Sequence, residues 1–413
     1  MISIITPTHN SKWLDEAYDS LLCQGVEDWE WVIVPNGGAV IPDRILEDRR
    51  VRVEPLEDSR IGALKRFAAM QARGEIILEL DHDDILTPNC MAKALAAFEN
   101  PEIGFVYSNH AVFWDKTFKP HRFGTFYGWT YKQREFYGRM FEEAIGFPPI
   151  PMAIALIWWC PNHVRAWRAI DYWKAGGHNE ELVACDDHDL VIRTYLTTKM
   201  RFIDKCLYLQ RYHGEQGYRE HNPLIQRETK RLRDENLPRI IKRWCELEGL
   251  PMVDLACGDA KPEGYIGVDL QPVADVVADL EQDFPFADNS IGCIRAFDSL
   301  EHFSDQTHTM DEIYRVLVPG GWLLSFTPST DGRGAFQDPT HKSFWNENSF
   351  WYYTQADKAK YDSRINCKFV DIRHGEKTTF FPSKHHEENN IPYVRADLMA
   401  IKDLERYPGA RLW

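Results

Sequence analysis

The sequence predicts an α/β protein made of two domains in tandem, each with a mostly parallel sheet. Short apolar runs ending in polar residues alternate with helical stretches, the pattern of a sheet whose ligands sit beyond the carboxyl ends of its strands. The pattern starts at the first residues, and a second set of strand-and-turn signals starts after residue 250. At 413 residues the chain is long enough for two domains that each bury a core of their own.

The first strand is Ile2-Ser3-Ile4-Ile5, running into the polar turn Thr6-Pro7-Thr8-His9-Asn10. A second strand over residues 31–34 breaks at Pro35-Asn36-Gly37-Gly38. The most telling segment is Gly74-Glu75-Ile76-Ile77-Leu78-Glu79-Leu80-Asp81-His82-Asp83-Asp84, an apolar run ending in three carboxylates. Hard divalent cations take oxygen ligands. Asp81 and Asp83, two residues apart on an extended segment leaving a sheet, suit Mg²⁺ or Mn²⁺ held against a departing nucleoside diphosphate. An isolated Asp-x-Asp is more often a solvated strand end or a helix cap. Here Thr87, just before Pro88 and the run at 91–98, is expected to take the cap role.

Taken together, residues 1 to about 220 resemble a family 2 glycosyltransferase of GT-A fold, a Rossmann-like nucleotide-diphospho-sugar transferase. The resemblance implies that Thr6, Pro7 and His9 belong to the nucleotide loop, that Lys65 in Ile61-Gly62-Ala63-Leu64-Lys65-Arg66 approaches the donor, and that Asp81 and Asp83 are the metal-binding pair. The segment Lys174-Ala175-Gly176-Gly177, continuing to Glu181-Leu182, resembles the acceptor loop. Cys185-Asp186-Asp187-His188-Asp189 resembles the helix carrying the catalytic base, which falls on Asp187 with Asp186 and Asp189 in support. Inverting transfer needs such a carboxylate to take the acceptor proton. Acids also gather at helix starts because the dipole favours them, and both roles are compatible. His213, in Arg211-Tyr212-His213-Gly214, matches a family histidine that completes the metal site, although a lone histidine is as often structural. Family members often have acids after the second strand, whereas this chain has Pro35-Asn36. Asn36 can still accept a uracil N3 proton through its carbonyl oxygen, so a UDP-sugar is the expected donor.

The second set opens with Pro251-Met252-Val253-Asp254-Leu255-Ala256-Cys257-Gly258-Asp259, a buried strand entering a small-residue turn, and Tyr265-Ile266-Gly267-Val268-Asp269, a strand ending in an acid. Alone this is a weak dinucleotide-like signal. Val277-Ala278-Asp279-Leu280, Leu300-Glu301-His302-Phe303 and a helix stopped by Pro319-Gly320-Gly321 follow in order. The series resembles a Rossmann-like class I methyltransferase that uses S-adenosyl-L-methionine, well over about 250–355 and loosely beyond. By that resemblance Asp254, Ala256 and Gly258 meet the methionine end of the cofactor, Asp269 binds the ribose diol, and Asp279 with Leu280 frames the adenine. Ala256 and Ala260 stand where glycines are usual, and residues 258–265 are too few for a full crossover helix. Methylating a hydroxyl needs alignment and a base, for which His302 and His341 are the candidates, each with a structural role as the alternative.

The expected domains are 1–221, a helical linker at 222–249 that Pro238 splits in two, and 250–413. The linker's basic residues are interleaved with acids, the pattern of a solvated helix rather than a nucleic-acid patch. A net charge of −15 and a pI near 5.5 also disfavour nucleic acid. No stretch is long and apolar enough to span a membrane, while peripheral membrane contact stays open. An N-terminus that is itself a strand leaves no room for a signal peptide. Nine cysteines without Cys-x-x-Cys spacing point to reduced thiols in the cytoplasm and away from a zinc site. Of the 14 tryptophans, Trp158, Trp159, Trp167 and Trp173 precede the expected base and serve either as sugar platforms or as core.

The leading expectation is a bifunctional cytoplasmic enzyme, transferring sugar to a carbohydrate or glycolipid acceptor and methylating a hydroxyl of the same glycan. The alternatives are one catalytic domain beside a binding or assembly module, and modified nucleic-acid bases as acceptors. The oligomeric state is left open.

Overall fold

The computed structural model describes residues 1–124, 128–157, 159–214 and 222–402. The chain divides into two compact units between Ile240 and Ile241. The strands of the first unit are β1 (Ile2–Thr8), β2 (Trp29–Pro35), β3 (Val51–Val53), β4 (Ile76–Glu79), β5 (Ile85–Leu86), β6 (Ile103–Trp114), β7 (Thr130–Phe136), β8 (Arg139–Ile145), β9 (Arg165–Arg168) and β10 (Lys199–Tyr212). They form one sheet in the order β3-β2-β1-β4-β9-β6-β10-β5, with β8 pairing β6 and β7 pairing β8. The four strands β3, β2, β1 and β4 are parallel, and β9 runs antiparallel between β4 and β6.

β1 and β2 are buried along their whole lengths, which is why both read as unbroken apolar runs. Helices Leu14–Leu22 and Cys90–Ala97 bury Leu14, Leu21, Met91 and Ala94 in the same core as Ile2, Ile4, Trp31 and Leu78. Three strand starts are tied together by one hydroxyl. Ser3 Oγ donates to Glu30 at 2.6 Å and accepts from the Gly74 backbone N–H at 2.7 Å.

Two local expectations are corrected. Thr87 does not cap the following helix, because its buried hydroxyl donates to the Cys206 carbonyl at 2.9 Å and ties the loop to β10. The helix Cys90–Ala97 starts instead after Asn89, in left-handed conformation with no side-chain cap. Pro238 does not split the linker, which is one continuous helix, Asn222–Glu248, with the proline inside it. A mid-helix proline costs about 3 kcal/mol. Burial of Leu232, Leu237, Ile240, Ile241 and Trp244 offsets that cost, at about 1.5–3 kcal/mol for each large apolar side chain.

The strands of the second unit are β11 (Met252–Leu255), β12 (Ile266–Asp269), β13 (Val276–Val277), β14 (Ile291–Phe297), β15 (Leu317–Pro328), β16 (Phe369–Asp371), β17 (Thr379–Phe380) and β18 (Tyr393–Ala400). Their order is β13-β12-β11-β14-β15-β18-β16, with β17 added to β18. The five strands β13, β12, β11, β14 and β15 are parallel, and β18 is antiparallel to β15 and β16. Strand order reverses direction at β11, so the turn after β11 opens at the switch point of the sheet, where α/β proteins place ligands. The crossover from β11 to β12 contains no helix, as its length requires.

All nine cysteines are free thiols, with Cys23 exposed, Cys257 half-buried and the others buried. Among the described residues no helix is long and apolar enough to cross a membrane.

Candidate functional site

The first unit gathers its charged residues where β4 ends. Glu79, the last residue of β4, pairs in register with Arg165 of β9 and is buried. A carboxylate inside an apolar sheet needs partners. Glu79 has the His178 ring nitrogen at 2.9 Å, Lys65 at 3.7 Å and Arg165 at 3.8 Å. Lys65 comes from the helix Ile61–Gln71 and also stands 3.7 Å from Asp81. Burial works against its ammonium, but Glu79, Asp81, Asp186 and Asp187 more than compensate and keep it charged. Gly62 permits this arrangement, since a Cβ there would lie 2.4 Å from the Asn179 carbonyl oxygen.

After β4 the chain turns, with the Asp84 N–H donating to Asp81 O, and re-enters the sheet as β5 against β10. The antiparallel register Leu209↔Ile85, carried two residues further, sets Arg211 of β10 opposite Asp83, with His213 just beyond it. His213 Nε2 lies 2.8 Å from Asp83 Oδ2. Burial raises the Asp83 carboxyl, but His213 and His82 outweigh it and hold the group below its usual range. Arg211 locks this loop from within, donating to the Asp83 carbonyl, Asp115 and Glu16. Asp81 faces elsewhere, toward Lys65 and toward His163 at 3.6 Å. Burial and Arg165 push His163 down to about 4, so it is neutral. The structure therefore brings Asp83 and His213 together and leaves Asp81 on the Lys65 side. Two carboxylates and an imidazole on neighbouring loops remain a donor set suited to a divalent ion that a diphosphate also ligates.

Asp187 sits on the first turn of helix Asp186–Thr197, next to Asp186 and Asp189. Its Oδ2 accepts from Arg165 at 2.9 Å, and its side chain stays 23 % exposed. Burial pushes the carboxyl up, yet Arg165 and Lys65 prevail and hold it below the ordinary carboxylate range. Asp186 is more deeply buried, and burial together with Asp187 raises it. Asp189 is spent on Arg193, at 2.6 Å. A surface depression nearby is lined by residues 176–181, Arg66 and Arg193, the segment expected to meet an acceptor. Trp173 is 38 % exposed with Arg66 over its ring, whereas Trp167 is core. Trp159 is half-buried, and Trp158 lies outside the described residues.

The expected nucleotide loop is mixed. Thr6 is fully buried, its hydroxyl donating to Leu80 O and accepting from Trp31 Nε1, so it serves the sheet and not the loop. Pro7 is buried at the end of β1, while His9 is exposed and lies edge-on to His82 at 4.9 Å. Asn36 donates its amide N–H to Asp58 O at 3.3 Å, which directs its carbonyl oxygen away from that contact.

In the second unit Ala256 and Gly258 both have positive φ, at 50° and 55°. The Gly258 N–H donates to Asp269 Oδ2 at 2.9 Å, so the acid ending β12 fixes the turn that follows β11. Asp254 is buried and accepts from Arg295 at 2.7 Å, while its second oxygen has no hydrogen-bond partner. That orphaned acceptor suits an ammonium group. Asp279 is exposed and Leu280 buried beside it.

His302 and His341 come together, with ring centroids 5.1 Å apart. Glu301, which sequence reasoning left without a role, joins them. Among the described residues, this trio is the group of metal-type side chains whose ligand atoms lie within 4.8 Å of one another. Burial pushes the Glu301 carboxyl up to about 8. In the first unit the unforeseen members are Glu79, Arg165, His178 and Arg211. A charge inside the apolar run of β4 was the available signal for Glu79, while its partners Arg165 and His178 come from β9 and the later 176–181 segment, far along the chain.

Comparison with known proteins matches residues 3–156 to the family model "Glycosyl transferase family 2" and residues 251–325 to "Methyltransferase domain". Chondroitin synthase of Escherichia coli is 26% identical over 222 residues, covering 52% of this chain and 29% of that protein. The O-antigen biosynthesis glycosyltransferase WbnJ of Escherichia coli is 32% identical over 95 residues, 21% of this chain and 37% of that protein. This chain thus covers less than half the length of either relative. The crystal structure of S. aureus TarS 1-349 with UDP-GlcNAc aligns with a TM-score of 0.40 and 18% identity, over 52% of this chain and 59% of that one.

Proposed function

Because this chain joins a family 2 glycosyltransferase domain to a methyltransferase domain, we propose that it transfers a sugar with inversion from a UDP-sugar to a glycan acceptor and methylates a hydroxyl of the same glycan. The observation carrying the first half is Asp187, an ionised, partly exposed carboxylate oriented by a buried arginine on the turn that follows the acceptor depression. It takes the acceptor proton as the oxygen attacks the anomeric carbon from the face opposite the diphosphate. Asn36 offers its carbonyl oxygen to the base N3–H, and Lys65 neutralises charge beside Asp81. Asp83, His213 and Asp81 would hold Mn²⁺ or Mg²⁺, which when bound stabilises the departing diphosphate. Relatives named for chondroitin and O-antigen synthesis support a polysaccharide acceptor. Nine free thiols support a cytoplasmic setting. The domain limits that go with this reading are 1–221 and 250–413, joined by the helix.

In the second domain Asp254, Ala256 and Gly258 would hold the methionine end of S-adenosyl-L-methionine, Asp269 the ribose, and Asp279 with Leu280 the adenine. The bound cofactor supplies an electrophilic methyl group. The cluster at His302 and His341 handles the acceptor hydroxyl. A second reading, in which this domain only binds or assembles, is favoured by the Asp269 carboxylate already accepting from the Gly258 and Gln271 N–H groups. No binding of S-adenosylmethionine at millimolar concentration would establish it. Nucleic acid as acceptor is disfavoured by the net charge of −15.

The test is calorimetric titration of the full chain with UDP, GDP and CDP, with and without Mn²⁺. UDP is expected to bind, with Mn²⁺ strengthening it at least tenfold, and Asp83→Ala is expected to abolish that strengthening. Binding of none of the three overturns the transferase reading and leaves the methyltransferase as the active half.

A further inference from the structure

The turn Leu300–His302 follows β14, and the loop from Asp338 to Trp345 is bolted onto it. The backbone N–H groups of Lys342 and Ser343 both donate to Glu301 O, at 2.7 Å and 3.0 Å. Ser343 Oγ donates to Leu300 O and accepts from Nε1 of the fully buried Trp345. This clamp fixes His341 beside Glu301 and His302.

Hydrogen bonds also assign a role to Nδ1 of both rings. His341 Nδ1 lies 2.9 Å from the Ala335 carbonyl oxygen, which can only accept, so Nδ1 carries the proton. The Thr340 hydroxyl donates to Asp338 at 2.6 Å, which leaves only its lone pairs for His302 Nδ1 at 3.2 Å; Thr340 O lies 3.3 Å from the same nitrogen. His302 Nδ1 is therefore a donor as well, and in both rings Nε2 is the nitrogen left to face a ligand. A carbonyl or hydroxyl behind Nδ1 is the usual support of a metal-bound histidine. Glu301 is 2 % exposed, and neither of its carboxylate oxygens has a hydrogen-bond partner. A buried carboxyl with no hydrogen-bond partner from any other residue is suited to giving up its proton to a cation.

We propose that Glu301, His302 and His341 form a divalent-metal site in the methyltransferase domain, separate from the Asp83 site. Two imidazoles and one carboxylate select ions of intermediate softness, such as Mn²⁺, Fe²⁺, Co²⁺ or Zn²⁺. One ligand atom from each residue lies within 4.8 Å of the other two, so side-chain adjustment can bring the three to an ion at about 2.1 Å. Three protein ligands leave coordination open for a substrate oxygen. One consequence rests on the methyltransferase reading. An ion held by Glu301, His302 and His341 would supply Lewis acidity, easing loss of an acceptor hydroxyl's proton to water, and the oxygen would take the methyl group while the C–S bonding pair stays on sulfur. His302 and His341 thus act as ligands rather than as the base.

The test uses the full chain carrying Asp83→Ala, which removes the ion of the first domain. Co²⁺ is titrated and followed by visible absorption, with S-adenosylmethionine binding measured calorimetrically on the same samples. One equivalent of Co²⁺ is expected, with at least tenfold weaker binding after adding Glu301→Gln, His302→Asn or His341→Asn singly, while S-adenosylmethionine still binds. Cofactor binding without Co²⁺ binding overturns the metal site, as does Co²⁺ binding that all three substitutions leave unchanged. Co²⁺ bound through these residues without cofactor binding would keep the site and overturn the methyltransferase reading instead.

Discussion

Asp187 is ionised because Arg165 and Lys65 hold its proton off against the pull of burial. Asp187→Asn keeps the shape and the Arg165 contact but cannot take a proton. Transfer is expected to fall by about 10²–10⁴ in kcat, with UDP binding within a factor of two of the parent. Normal turnover would remove Asp187 as the base. A carboxyl held low also stays charged in mild acid, so transfer should show no carboxylate-type loss between pH 7 and 5. Asp81, Asp83 and Asp187 stand out in the sequence because carboxylates cluster at the ends of apolar runs. Arg165, which holds Asp187, and His178, which holds Glu79, do not, because only the β4–β9 pairing and the return of the 176–181 loop bring them near.

At the scale of elements, one carboxylate ties the helix Leu14–Leu22 to the turn before β3. Asp48 accepts from Tyr18 at 2.8 Å and from the Arg50 side chain at 2.7 Å. Its bonds to Arg50, outweighing burial, bring it from 3.8 down to about 2. Because the folded value lies below the unfolded one, this stabilisation is complete above about pH 4 and fades as pH falls toward 2. Asp48→Asn should therefore cost about 1–2 kcal/mol at pH 7, and the gap between parent and variant should close near pH 2. Urea titrations at several pH values measure this, and a gap that does not change with pH would deny the coupling. Element identity was readable wherever burial wrote itself as an apolar run, as in β1, β2 and β11. Thr87 and Pro238 misled because local capping and breaking rules compete with tertiary contacts. Thr87 is claimed by β10, and Pro238 sits in a helix whose buried face outweighs one lost hydrogen bond.

For the whole molecule, the two sets of motifs predict separate ligands for separate sites. Asp269→Ala should weaken S-adenosylmethionine binding at least tenfold, since the side chain that fixes the turn after β11 is gone, and leave UDP binding unchanged. Loss of both would mean a folding defect or coupling between the halves, which thermal melts of the variant would separate. That two α/β units follow one another was legible from the restart of the pattern after residue 250. The reversal of strand order at β11 was not, because which strands become neighbours depends on pairings that no local signal encodes.

The distribution of thiols has a practical side. Cys257 lies between Ala256 and Gly258, with its sulfur over Gly267, and apart from the exposed Cys23 it is the thiol with appreciable access to water. Burial raises its pKa, so it alkylates slowly at neutral pH and faster in alkali. Iodoacetamide followed by peptide mass spectrometry then turns this side chain into a footprint of cofactor occupancy, with Cys23 as the internal standard. Saturating S-adenosylmethionine should slow carbamidomethylation of Cys257 and leave that of Cys23 unchanged, giving an assay of the second domain that needs neither a known acceptor nor turnover.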